Sequence, residues 1–192
     1  MLAFPVMQPG FGVRHPDLLA VLAQHAPAYT HENDRIATRA YIGFAAVPDV
    51  LITSVRCLVR IGTEVIVCTN SDGFSHPWPG GKREPGESFE QTATREVYEE
   101  TGWHLDAGSL RQLGWLHFLH LRPVADDYRF PHPDFCQVVF TATASRRAVA
   151  PDADWTDTDG YEQGSRLMSV PAAIAASAGE PGSELFLRML VR

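Results

Sequence analysis

The stretch GGKREPGESFEQTATREVYEETGW, residues 80–103, constrains the fold of this chain more than any other. It opens with glycine and proline residues that favour tight turns, and it continues with the capping-box pattern of Ser88 and Gln91. Gly102 is a typical residue at a helix stop. The stretch therefore predicts a loop, a helix from about Phe89 to Thr101, and a second loop.

The predicted helix brings three carboxylates together. At about 100° per residue, Glu96, Glu99 and Glu100 occupy one sector of the helix, while Ala93 and Val97 adjoin it and should pack on a sheet. Each like-charge pair at i,i+4 costs roughly 0.2–0.5 kcal/mol, so something should offset the repulsion. A divalent cation would do so, because Mg²⁺ and Mn²⁺ prefer oxygen ligands. The alternative is a solvated acidic face.

Composition narrows the classes of partner. A chain of 192 residues with 45% hydrophobic residues can bury the core of one domain. Its net charge of −7 argues against binding of duplex nucleic acid or of an anionic membrane surface, both of which favour basic proteins. Three scattered cysteines, an N-terminus unlike a signal peptide and the lack of a long apolar run predict a protein of the cytoplasm.

Residues 1–50 are predicted to form a helical extension that is not an independent domain. HPDLLAVLAQHA (15–26) has helical apolar spacing with Pro16 near its start, and THENDRIATRAYIGFAA (30–46) has Thr30 as a candidate N-cap. We expect these two helices either to cover the main sheet or to contribute to a homodimer.

From residue 51 onwards the pattern changes to that of strands. Residues 50–70 alternate as a β-hairpin around Gly62 and Thr63, and GWLHFLHLR, DFCQVVFTATA and SRLMSV read as further strands. Two short helical segments, PAAIAASA and SELFLRMLV, follow near the C-terminus.

The stretch 80–103 resembles the signature of the Nudix hydrolase family, G-x5-E-x7-R-E-U-x-E-E-x-G-U, where U is a bulky apolar residue. The matching residues are Gly81, Glu87, Arg95, Glu96, Val97, Glu99, Glu100, Gly102 and Trp103. Trp103 stands where the family usually has an aliphatic residue, which should alter packing and not chemistry. The resemblance implies an α/β fold, the Nudix fold, with a mixed β-sheet sandwiched between α-helices over residues 51–192.

The resemblance also implies roles for the matching residues. Glu96, Glu99 and Glu100 would bind Mg²⁺, with Mn²⁺ as its substitute, and the carbonyl of Gly81 often joins the metal shell in this family. An ion pair between Glu87 and Arg95 would fix the helix relative to the loop. More local roles stay open, because Glu87 would also favour the helix N-terminus and Arg95 can pair with Glu99 at i,i+4.

The implied activity is metal-dependent hydrolysis of a pyrophosphate linkage by attack of water at phosphorus. The expected substrate is a small nucleotide, either a nucleoside diphosphate linked to another moiety or a nucleoside triphosphate. Lys82, the one lysine of the chain, and Arg83 are candidates to contact its phosphates, and a surface position is the alternative for both. A catalytically weak metabolite sensor on the same fold is the alternative function.

The general base is expected either within the signature or in a later acidic loop. PDADWTDTDGYEQG (151–164) offers four aspartates and Glu162, of which Glu162 is favoured because it precedes a late strand. A solvated acidic loop is the alternative.

Aromatic and histidine side chains are further candidates for substrate contact. A nucleobase could stack on one of several aromatic rings, although a core role explains them as well: Trp78, Trp115, Phe118, Tyr128 and Phe130. His117 and His120 should point to opposite faces of a strand, which argues against a shared metal. His76, His132 and Asp134 are expected in loops.

Overall fold

A computed structural model describes residues 12–125, 127–148 and 162–191, with only the backbone described at Glu162. The helices are α1 (Pro16–Gln24), α2 (Phe89–Thr101), α3 (Val170–Ala176) and α4 (Ser183–Met189). The strands are β1 (Tyr29–Glu32), β2 (Ile36–Ile42), β3 (Ile52–Ile61), β4 (Glu64–Asn70), β5 (Ser75–His76), β6 (Trp103–Leu105), β7 (Arg111–His120), β8 (Asp134–Arg147) and β9 (Glu162–Ser169). No helix within these described ranges is long and apolar enough to cross a membrane.

The strands form one mixed sheet, as the sequence predicts. Its order is β1-β2-β7-β8-β3-β4-β5, with β6 paired to β8 and β9 paired to β4. The central strands β3 and β8 are parallel, with Val55 opposite Val138, and the other pairs are antiparallel. The predicted hairpin is present, since β3 and β4 are joined at Gly62, whose φ of 61° suits a tight turn.

Helices cover both faces of this sheet. On one face α2 buries Ala93 and Val97 against a cluster that includes Val55 of β3. On the other face Phe186 of α4 packs in a cluster that includes Leu58 of β3. Because neighbouring residues of a strand point to opposite faces, β3 contributes to both layers, and the predicted sandwich is confirmed.

The helix α2 begins and ends where its sequence signals lie. The Ser88 hydroxyl accepts a hydrogen bond from the Gln91 N–H (3.2 Å), and the Gln91 side chain accepts one from the Ser88 N–H (2.7 Å). Gly102 stops the helix in the left-handed conformation, with φ of 71°. Trp103 follows it at the start of β6 and packs in the same cluster as α2.

The prediction of a second helix over residues 30–46 is wrong. The segment forms the hairpin β1–β2, whose turn is fixed by the Asn33 side chain, which accepts hydrogen bonds from the N–H groups of Arg35 (2.8 Å) and Ile36 (2.9 Å). Strand β2 then pairs with β7 along its length. A helix would leave that edge of β7 unpaired, so sheet hydrogen bonding outweighs the spaced apolar residues. The N-terminal segment is thus a helix and two strands, and only α1 of the two predicted helices is present among the described residues.

Candidate active site

A large cavity of about 980 Å³ opens beside α2. Its walls come from β3, from residues 80–84, from α2, and from separate segments that contribute Asn70, Phe74, Tyr128 and Glu180. The signature loop and helix therefore form part of one concave surface that also includes residues distant in sequence.

The three late carboxylates of α2 all line this cavity. We call Glu96, Glu99 and Glu100 the glutamate wall. The side chains of Glu96 and Glu99 are 13% and 27% exposed, so the wall is largely removed from bulk water. The Glu100 carboxylate accepts a hydrogen bond from the Gly80 N–H at 3.1 Å. The structure thus brings together the three residues that the helical spacing predicts on one face.

Arg95 is the common partner of the acidic side chains. Its guanidinium donates to both carboxylate oxygens of Glu87, at 2.7 and 3.0 Å. One nitrogen, Nη1, donates to Glu96 and to Glu99, each at 2.9 Å. Nη2 also donates to the Lys82 carbonyl at 3.0 Å. The predicted pair with Glu87 and the alternative pair with Glu99 therefore coexist, and they raise the pKa of Arg95.

Glu87 is held as a charged group. The hydrogen bonds from Arg95 are the main cause that lowers its pKa to about 2, and the Glu84 N–H and the Thr92 hydroxyl contribute in the same direction. Because these donors belong both to the loop and to α2, the Glu87 carboxylate ties the loop to the helix.

Glu96 is in the opposite electrostatic situation. Burial is the main cause that raises its pKa, and the neighbouring Glu99 acts in the same direction. Arg95 and Arg56 oppose the shift. The ionised form of Glu96 is therefore costly, and additional positive charge at this position would stabilise it.

The glycine pair makes close contacts, Gly80 with the backbone of β3 and Gly81 with the Glu96 side chain. Gly80 has φ of 150°, and a Cβ there would lie 2.1 Å from the Val55 carbonyl oxygen. A Cβ at Gly81 would lie 2.5 Å from a carboxylate oxygen of Glu96. Any larger residue at Gly81 would displace the Glu96 side chain, so this position lets the backbone approach the glutamate wall.

The segment 79–82 runs alongside β3 like an additional strand. The Val55 N–H donates to the Gly81 carbonyl and the Cys57 N–H donates to the Pro79 carbonyl, each at 2.9 Å. Ser54 and Lys82 form an antiparallel bridge in the same register. The loop in front of α2 is therefore fixed by backbone hydrogen bonds to the centre of the sheet.

The two predicted phosphate-binding cations differ in their surroundings. Lys82 lines the cavity, and its Nζ lies 4.9 Å from the centre of the Phe130 ring. Arg83 donates to the Asp49 carboxylate and to the Glu87 carbonyl, both at 2.9 Å, and its guanidinium stacks over Phe89. The Arg83 guanidinium thus has a structural set of partners, although the residue also lines the cavity.

Arg56 is a cavity-lining cation that sequence reasoning missed. It donates to the Gly80 carbonyl and, at 3.4 Å, to the Gln137 side chain. Its charge acts on Glu96, where it opposes the rise in pKa, and it acts in the same way on Glu180. An arginine in the middle of the apolar strand β3 was the available signal, because a central strand rarely carries an unpaired charge.

Glu180 is the second missed residue. It lies between α3 and α4 and lines the same cavity. Burial is the main cause that raises its pKa, whereas Arg56, His76 and a hydrogen bond from the Trp78 side chain favour the charged form. No local pattern marks this residue, because its place in the cavity depends on how α3 and α4 pack.

The predicted base is only partly described. The four aspartates of the acidic loop, Asp152, Asp154, Asp157 and Asp159, lie outside the described residues. Glu162 begins β9, and its backbone is opposite Asn70, which lines the cavity.

The remaining candidates separate into cavity and core. His76, Trp78, Tyr128 and Phe130 line the cavity. Trp115 stacks on Tyr41 in the core at 4.0 Å between ring centres.

Two further candidates lie in strands away from the cavity lining. Phe118 stacks on Phe135 at 4.6 Å between ring centres. Asp134 is a buried strand residue and not a loop residue, and its carboxylate accepts from His117 (2.7 Å) and Arg14 (2.8 Å). Burial opposes its charge, but these two donors outweigh burial and keep the pKa of Asp134 below its usual value.

The donors of the glutamate wall suit a hard cation. Carboxylate oxygens and a nearby backbone carbonyl are the ligands that Mg²⁺ and Mn²⁺ prefer. In the described part of the chain, no three acidic, histidine or cysteine side chains already form a metal-binding cluster. Arg95 instead supplies the positive charge between Glu96 and Glu99.

Comparisons with known proteins agree with this architecture. The family model described as "NUDIX domain" matches residues 51–190. No curated protein sequence matches the chain.

The fold also occurs in solved structures. A mutant of the pyrophosphohydrolase BsRppH of Bacillus subtilis has a TM-score of 0.54 and 20% sequence identity, with 73% of this chain and 77% of that chain covered. A NUDIX hydrolase from Nitrosomonas europaea has a TM-score of 0.51 and 19% identity, with 73% and 86% covered.

Proposed function

We propose that this chain, which belongs to the Nudix hydrolase family and is a hydrolase of phosphoric anhydrides, cleaves the pyrophosphate linkage of a small nucleotide with the help of Mg²⁺. The expected substrate is a nucleoside diphosphate linked to another moiety, or a nucleoside triphosphate. Water attacks one phosphorus and the anhydride bond to the leaving phosphate breaks. Residues 51–192 would form the catalytic domain, with residues 1–50 as an extension.

One observation carries the proposal. The glutamate wall, the cations Arg56 and Lys82, and several aromatic side chains line a single cavity of about 980 Å³. A nucleotide carries negative phosphates beside a flat base. The glutamates would hold a divalent cation that faces the phosphates, the two basic residues would contact the phosphates directly, and the aromatic rings offer surfaces for the base.

Glu96, Glu99 and Glu100 would hold the cation, with the Gly81 carbonyl as a further oxygen ligand. When bound, the cation neutralises phosphate oxygens and lowers the pKa of a bound water. The Glu87 pair would keep Arg95 beside the wall, so that the positions of Glu96 and Glu99 stay fixed.

Arg56 and Lys82 would neutralise the anionic oxygens that shield phosphorus from a nucleophile. Arg56 is the better placed of the two, because its charge acts on both Glu96 and Glu180 and its side chain is held by Gly80 and Gln137. A fixed guanidinium also offers two parallel donors to one phosphate group.

Glu162 would accept the proton of the attacking water. Its support is the backbone pairing with Asn70 at the edge of the cavity. A Glu162→Gln variant should lower kcat while its metal affinity stays near that of the wild type. Full activity in this variant would exclude Glu162 as the base and would favour a carboxylate of the glutamate wall.

A substrate screen tests the function. ADP-ribose, nucleotide sugars, and normal and oxidised nucleoside triphosphates are incubated with Mg²⁺ or Mn²⁺, and phosphate, pyrophosphate and nucleoside monophosphate are measured. The products identify the phosphorus that is attacked. Tight nucleotide binding without turnover under any of these conditions would favour the sensor alternative.

A further inference from the structure

A second group of cavity-lining side chains takes no part in the chemistry described above. We call it the Glu180 wall, and it consists of Asn70, Phe74, His76, Trp78 and Glu180. These residues come from the β4–β5 region and from the turn between α3 and α4, outside the signature loop and helix.

Glu180 lines this cavity and brings a carboxylate, which is a hydrogen-bond acceptor. It accepts a hydrogen bond from the Trp78 side chain, and Trp78 itself is 2% exposed, so the indole holds the carboxylate from the protein side. An ionised carboxylate has about four acceptor positions, and one indole N–H leaves capacity for donors on a ligand.

An aromatic ring lies beside this acceptor. A Cβ at Gly179, the residue before Glu180, would lie 2.9 Å from the Phe74 ring, so the ring covers that turn directly. Phe74 is 38% exposed and its backbone is fixed, because its N–H donates to the Asn70 side chain (2.9 Å) and its carbonyl accepts from the Asn70 N–H (3.0 Å). The wall thus offers a stacking surface next to a hydrogen-bond acceptor.

The geometry points to a nucleobase subsite at the Glu180 wall, in which the base stacks on Phe74 and its N–H donors bind the Glu180 carboxylate, with guanine as the preferred base. This inference rests on the proposed nucleotide substrate. Guanine presents two adjacent donors, N1–H and the N2 amino group, which match the two oxygens of a carboxylate. Adenine and cytosine place a ring acceptor beside their amino group, and uracil flanks its one N–H with carbonyls, so each would direct a lone pair at Glu180.

The electrostatics of the wall agree with a neutral donor ligand. Burial raises the pKa of Glu180, whereas Arg56 and His76 lower it. Donors on the base would satisfy the buried carboxylate while Arg56 remains available to the phosphates.

Binding of nucleoside monophosphates, which contain no anhydride bond, tests the subsite independently of hydrolysis. Isothermal titration calorimetry with Mg²⁺ compares GMP, IMP, AMP, UMP and dGMP on the full chain. GMP should bind at least about tenfold more tightly than IMP, which lacks the 2-amino group, and than AMP. The dGMP affinity should equal that of GMP, because Glu180 reads the base and not the ribose.

The variant Glu180→Gln sharpens the test. Its carboxamide offers one acceptor and one donor, which matches adenine, so the preference for GMP over AMP should fall by about tenfold or more. Glu184→Gln is the matched control, since Glu184 lies on α4, pairs with Arg188 and is not among the cavity-lining residues. It should bind all five nucleotides like the wild type.

Three outcomes would overturn the inference. Equal affinities for GMP, IMP and AMP would exclude recognition of the base edge. If the affinity for dGMP were as far below that for GMP as the affinity for IMP is, Glu180 would bind the ribose and not the base. A uniform fall in kcat for every nucleotide in Glu180→Gln, with unchanged binding, would make it the general base. Selective GMP binding without hydrolysis of any nucleotide would instead preserve the inference and refute the proposed function.

Discussion

The glutamate wall and the Glu180 wall belong to one cavity but are held in different ways. Arg95 binds Glu87, Glu96 and Glu99, and the Gly80 N–H binds Glu100, so the glutamate wall is fixed by charged hydrogen bonds within one loop and one helix. The Glu180 wall relies on an indole hydrogen bond and on the packing of Phe74 against Gly179.

The difference follows from what each wall would do. Chemistry at phosphorus requires charges fixed to fractions of an ångström, and neighbouring turns of a helix provide that spacing. Recognition of a flat base requires shape and a few donors or acceptors, which separate segments can supply. Substitutions in the glutamate wall should therefore lower turnover for all substrates, whereas those in the Glu180 wall should change the order of substrates.

The largest effect is expected for Glu100→Gln. The amide lacks the negative charge needed beside Mg²⁺, so kcat should fall about 100-fold or more for every nucleotide, with weaker metal binding. The metal-free protein should be equally or slightly more stable, because like-charge repulsion of roughly 0.2–0.5 kcal/mol per pair is removed. Kinetics, metal titration and melting with and without metal measure these effects. Glu90→Gln, on the exposed start of α2, is the control, and wild-type metal affinity in Glu100→Gln would refute the cation site.

Arg56→Met should affect both walls. Loss of a charged donor to phosphate is expected to remove about 2 kcal/mol of transition-state stabilisation. The value of kcat/KM should therefore fall roughly 30-fold for all nucleotides. Because Arg56 also favours the ionised form of Glu180, base selectivity should weaken in the same variant. Steady-state kinetics on guanine and adenine nucleotides measure both changes, and a normal kcat/KM would remove Arg56 from the site.

Glu87→Gln tests the anchoring of the glutamate wall through stability. The folded-state pKa of about 2 lies below the ordinary glutamate value of 4.5, so Glu87 stabilises the fold above about pH 4.5 and that contribution disappears as the pH falls towards 2. At pH 7 the variant should lose about 2 kcal/mol of unfolding free energy. Urea denaturation of both proteins from pH 7 to pH 2 should show the difference shrinking with acid. A difference independent of pH would contradict the ion pair as its source.

Phe74→Leu should have the smallest effect and one restricted to recognition. Loss of stacking should remove about 1 kcal/mol of binding free energy, which raises KM roughly fivefold and leaves kcat near its wild-type value. Val50→Ala, at an exposed apolar residue outside the cavity lining, provides a control. A fall in kcat as large as the rise in KM would mean that Phe74 also positions the reacting phosphates. The Glu180 wall would then act in turnover as well as in recognition.

Prediction from sequence succeeded where the signals are local. Ser88, Gln91 and Gly102 act within a few residues of themselves, so the bounds of α2 and the common direction of Glu96 and Glu99 follow from helical geometry alone.

Prediction failed where contacts between distant segments determine the secondary structure or the position of a side chain. Residues 30–46 have helix-like apolar spacing, but β7 offers an open edge and the Asn33 turn brings β2 to it. Arg56 and Glu180 reach the cavity through the pairing of β3 and the packing of α4, and short-range patterns contain no record of either contact.

The strand-like segment 79–82 gives the site a mechanical property. Arg56 belongs to β3, and the backbone that meets the Glu96 and Glu100 carboxylates is registered against the same strand by the bonds of Val55 and Cys57. Arg56 and the backbone that approaches the two carboxylates are therefore both attached to β3. A deformation of the sheet that moves β3 would therefore carry Arg56 and segment 79–82 with it. The spacing between Arg56 and this backbone thus depends on main-chain hydrogen bonds, which the substitution of a surface side chain does not remove.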